Sequence, residues 1–181
     1  VVGFYVSVEG LDVVSDSDFV VLNPGESKEV ELRISATEKG LQTGTMLFRS
    51  GSSLIKEHPI VLNVRSEDFL FDSKITISDR AKVIQEGEKV TAQINLLQVG
   101  PKEKLDVTAN YVIKDFEGNI YLEESETFFV LEDKDFIREF STLGLPAGKY
   151  ILGLEIVYPG AFATSSSQFQ VVGDGQENTK Y

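Results

Sequence analysis

Apolar and polar residues alternate with a period of two along most of the chain. In Val30-Glu31-Leu32-Arg33-Ile34-Ser35 the apolar side chains share one face of an extended segment and the polar ones the other. Val90-Thr91-Ala92-Gln93-Ile94-Asn95-Leu96 and Val107-Thr108-Ala109-Asn110-Tyr111 do the same. This is the pattern of a strand buried on one face. Further strands are expected over residues 4–8, 45–49, 60–64, 120–131 and 150–158. Turn-formers separate them: Asn23-Pro24-Gly25, Ser50-Gly51-Ser52, Glu86-Gly87, Gly100-Pro101, Glu117-Gly118-Asn119, Pro146-Ala147-Gly148 and Pro159-Gly160. Helical periodicity is almost missing. Short alternating strands with frequent turns and no helical crossovers predict an all-β fold of antiparallel sheets, most simply sandwiches.

A chain of 181 residues accommodates two such units. The break is expected at residues 65–68. Ile60-Val61-Leu62-Asn63-Val64 reads as a closing strand and Phe69-Leu70-Phe71 opens a new apolar run, across a polar link free of Gly and Pro. The resulting division is a short first unit over 1–66, a complete second unit over 67–173, and a polar tail or linker over 174–181. The first unit is short for a sandwich, as if its first strand lay outside the sequence. Gly25-Glu26-Ser27-Lys28-Glu29-Val30 is echoed by Gly87-Glu88-Lys89-Val90. Each glycine turn is expected to feed the second strand of its own unit. Two self-contained sandwiches should also unfold separately.

Charge narrows the partners. The chain carries 29 acidic against 17 basic residues, a net charge of −12. That balance argues against nucleic acid, which needs a basic face, and against adsorption to anionic lipid. Solubility alone accounts for the acidity, and a basic partner or cation-rich surroundings would also suit it. The absence of cysteine excludes disulfides, thiolate zinc sites and cysteine nucleophiles. An opening Val1-Val2-Gly3 without initiator Met fits a processed or excised product. No apolar run approaches the ~20 residues of a membrane span and no signal peptide is present, so a membrane anchor of the parent protein would lie outside these residues.

Leu145-Pro146-Ala147-Gly148-Lys149-Tyr150-Ile151-Leu152 resembles the corner and following strand of immunoglobulin-like and fibronectin type III-like folds. There a Tyr after a glycine-containing corner anchors its hydroxyl to upstream backbone. Tyr150 would make this tyrosine corner. Leu152 stands where antibody domains carry a Cys, which rules out a true antibody-type domain. Leu22-Asn23-Pro24-Gly25-Glu26-Ser27 before Val30, Leu32 and Ile34 resembles the NEW3 and CARDB-like modules of archaeal and bacterial cell-surface proteins. The resemblance implies two tandem immunoglobulin-like antiparallel β-sandwiches, serving as extracellular spacers, adhesive stalks or accessory modules beside enzymes.

Candidate chemistry is sparse. His58, before Pro59, is expected in a loop, and no G-x-S-x-G, H-E-x-x-H or second His supplies partners for catalysis. Glu123, Glu124 and Glu126 read as a solvated strand face or a protected edge. Glu132, Asp133 and Asp135 form a loop-like cluster with carboxylates for calcium, without the glycine and spacing of an EF-hand. A glycosidase pair of carboxylates is not excluded by spacing. The chain has no Trp to stack sugars, and Tyr111, Tyr121, Tyr158 and Phe162 are the remaining aromatic candidates. Phe162, in an expected loop after Pro159-Gly160, and Tyr158 are the contact candidates, each weighed against simple capping of the core. The expectation is a non-catalytic extracellular module of a membrane-anchored, adhesive or structural protein, with no cofactor. A protein partner or self-association is expected, without direct membrane insertion. The alternative is an accessory carbohydrate-binding pair of a secreted enzyme.

Overall fold

The computed structural model describes residues 1–14, 19–35, 38–64, 70–99 and 104–173. The expected break at 65–68, the Gly100-Pro101 turn and the 174–181 tail lie outside the described residues. The described chain is all-β and antiparallel in every pairing but one, with a lone 3₁₀ turn at Asp79–Ala81. The N-terminal half contributes β1 (Val2–Glu9), β2 (Asp12–Val14), β3 (Phe19–Leu22), β4 (Arg33–Ser35), β5 (Gly40–Ser50) and β6 (Ser53–Val64). Four of these form a sheet in the order β3-β1-β5-β6, and β2 pairs with β4 separately.

The C-terminal half packs two sheets around one core. Its strands are β7 (Phe71–Ile77), β8 (Val83–Gln85), β9 (Lys89–Gln98), β10 (Leu105–Lys114), β11 (Ile120–Val130), β12 (Lys134–Ser141), β13 (Gly148–Tyr158) and β14 (Ala161–Val172). Five make the sheet β11-β10-β13-β14-β8 and three the sheet β12-β9-β7. This is an immunoglobulin-like arrangement. Alternate residues point inward as the period-two pattern requires. Val90, Ala92, Ile94 and Leu96 from β9 meet Leu152, Leu154 and Ile156 from β13 in one core, all at most 2% exposed. Each large apolar side chain so buried contributes ~1.5–3 kcal/mol.

Two tyrosines tie loops to this core. The Tyr150 hydroxyl donates to the Pro146 carbonyl at 2.7 Å, while its ring lies against Phe169 and edge-on to Tyr121. The Tyr158 hydroxyl accepts from the Leu70 amide at 2.7 Å, and its ring meets Phe71 edge-on at 5.2 Å.

The N-terminal half has a much thinner interior. Val6 and Leu47 are its buried large apolar side chains among the described residues, and they lie on opposite faces of its sheet. It leans instead on the outer face of β13. The Leu41 side chain lies over Gly153, where a Cβ would sit 2.5 Å from Leu41 Cδ2 and 2.9 Å from Val112 Cγ1. A Cβ at position 153 would force the Leu41 or Val112 side chain to shift. Around it the Lys114 ammonium donates to the Leu41 carbonyl at 2.6 Å and the Thr164 hydroxyl to the Val64 carbonyl at 3.0 Å. The Asn63 amide donates to the Ser166 hydroxyl at 3.2 Å. Ile151, on the same face of β13 as Gly153 and outside the core cluster, is fully buried.

Several expectations change. Of the alternating run 30–35, only Arg33–Ser35 forms a strand, because residues 26–31 are exposed and meet no partner strand. The two glycine-turn echoes are not equivalent. Gly87 feeds β9, which sits between β12 and β7, whereas Gly25 leads toward β4, the strand immediately before the β5–β6 hairpin. The topological counterpart of β4 is therefore β12. Lys134–Ser141 was not anticipated as a strand, because it turns Arg138 inward and leaves Ile137 72% exposed, reversing the usual alternation.

Tyr150→Phe is expected to cost about 1–2 kcal/mol through the lost corner bond, read as a lower denaturant midpoint at unchanged slope. Gly153→Leu should unseat Leu41, at a cost of about 1–3 kcal/mol. Proteolysis and amide exchange within residues 1–64 should accelerate while the C-terminal core stays protected. Residues 1–64 expressed alone should show no cooperative transition by circular dichroism; a sharp one would contradict the dependence on β13.

Candidate functional site

Two clefts flank the joint between the halves. One, of about 420 Å³, is lined by Leu41, Tyr111, Lys114, Glu124, Leu154 and Glu155 among others. The other, of about 460 Å³, lies between Thr45, Glu57 and Pro59 on one side and Asp115, Tyr121 and Lys149 on the other. In the first, Lys114 loses water, and this desolvation pushes its ammonium below the usual lysine range while it bonds the Leu41 carbonyl. Asn110 bridges strands there, donating to Glu155 at 3.3 Å and accepting from Ser125 at 2.9 Å. In the second, burial raises the Asp115 carboxyl, but bonds from Asn119, Tyr121 and the Glu117 amide outweigh it and hold the group below the usual carboxylate range. The same bond raises the Tyr121 phenol. These groups satisfy one another and shape the cleft walls.

The first acidic cluster divides between the two faces of β11. Glu123 is exposed, whereas Glu124 and Glu126 lie half-buried beside Leu122 and Phe128. Arg138 of β12 reaches across to both, with Nη2 2.7 Å from Glu124 and Nη1 2.6 Å from Glu126. Its guanidinium also lies 4.4 Å from the centre of the Tyr111 ring, and the Tyr111 hydroxyl donates to Glu126 at 2.7 Å. Burial first, then Glu126, pushes the Tyr111 phenol far up, so it stays a donor. The solvated-face reading is thus corrected for Glu124 and Glu126: they clamp the edges of the two sheets together. Arg138 escaped the sequence reading because an inward charge breaks the alternation. The two inward glutamates across the sandwich were the signal that could have found it.

The calcium candidates do not converge. Asp133 accepts from the Gln98 amide at 3.2 Å and Asp135 from the Asn95 side chain at 2.7 Å, while Glu132 is exposed. No group of three metal-ligating side chains gathers among the described residues. Asp135 also lies in β12 and not in a loop.

His58 lies within β6, paired with Met46, where it is exposed; an edge strand tolerates the adjacent Pro59. The contact candidates are corrected too. Tyr158 is 4% exposed and bound through its hydroxyl to Leu70, so it belongs to the core. Phe162 is in β14 opposite Val157, half-buried, with the Lys39 ammonium 5.3 Å above its ring. The two-residue Pro159-Gly160 loop is too short to contain it. Tyr111 is 1% exposed, and Tyr121, at 40%, rests edge-on against Tyr150.

No family model and no curated protein matches the chain. Among solved structures, the chain is similar to the CARDB domain of a Pyrococcus furiosus protein, determined in complex with di-metal ions. That match has 12% identity and a TM-score of 0.41, covering 56% of this chain and 87% of that one. It is also similar to the C-terminal domain of Wzt, at 14% identity and a TM-score of 0.45, over 65% of this chain and 87% of that one. The sandwich itself rests on the order and register of the chain's own strands.

Proposed function

We propose that the chain is a non-catalytic module of a larger cell-surface protein, acting outside the cell as a structural spacer or protein-interaction stalk. The observation that carries this reading is the joint, in which Leu41 seats over Gly153 while Lys114, Thr164 and Asn63 bond across the two halves. A joint built from close packing and directional bonds holds two β units at a set angle, as a spacer needs. The carboxylates singled out by sequence support the non-catalytic part. Glu124 and Glu126 are held by Arg138, and Asp133 and Asp135 by strand neighbours. An accessory carbohydrate-binding role would call for an exposed aromatic row, and burial of Tyr111 and Tyr158 favours the spacer over it.

Intact cells producing the parent protein should bind an antibody raised against this chain without permeabilisation. Labelling only after lysis would sink the surface assignment. Arg138→Met should lower stability by about 2 kcal/mol in a denaturant titration, since it leaves two half-buried carboxylates without their partner. An unchanged midpoint would mean that the clamp is not structural.

A further inference from the structure

We draw no further inference here: the strongest candidate, the cleft of about 420 Å³ where Leu41 meets the outer faces of β10 and β13, carries nothing, because its Asn110, Glu155 and Lys114 already bond neighbouring groups of the chain and nothing in the structure shows what would fill it.

Discussion

Leu41 over Gly153 is the contact on which the relation of the two halves depends. A sheet of four strands with little interior of its own needs a second surface, and the outer face of β13 supplies it. A Cβ at position 153 would crowd both Leu41 and Val112 and force one of them to shift. Around that contact Lys114, Thr164 and Asn63 bond their partners across the two halves.

A second constraint acts within the C-terminal sandwich, where two sheets of unequal width leave β11 and β12 as facing edges. Apolar packing continues nearly to the rim, through Phe128 against Phe136 and Tyr111 against Phe140. At the rim itself Arg138 joins both glutamates of β11. The Lys134 ammonium, 3.9 Å above Phe128, caps the same seam further along. The seam is closed by charge where water begins to enter, and by rings where it does not.

The long strands were legible because their alternation is clean. The residues of β9, β10 and β13 carry apolar side chains at nearly every inward position, Gln98 at the end of β9 being an exception, and the Ser50-Gly51-Ser52 and Pro159-Gly160 turns fall between strands as expected. What resisted reading was whatever broke the period or depended on another part of the chain. Arg138 and Ile137 exchange faces in β12, so the strand did not announce itself. Val30 and Leu32 keep the alternation yet find no partner strand. Gly153 looks like any glycine in a strand, and its role exists only because Leu41, more than a hundred positions away, lands on it. Tyr158 and Phe162 looked like surface aromatics because nothing local says that Leu70 and Lys39 will reach them.

The one parallel pairing, β8 alongside β14, has a mechanical meaning. It is bracketed by the Gln170 amide donating to the Lys82 carbonyl and the Glu86 amide donating to the Val172 carbonyl. Once β7 has been peeled away, tension drawn through the chain pulls β8 and β14 in opposite directions along their own axes. Hydrogen bonds perpendicular to that tension share the load and must rupture together, whereas those of an antiparallel hairpin pulled at its open end fail one after another. A few bonds between β8 and β14 would therefore set the force at which the sandwich yields.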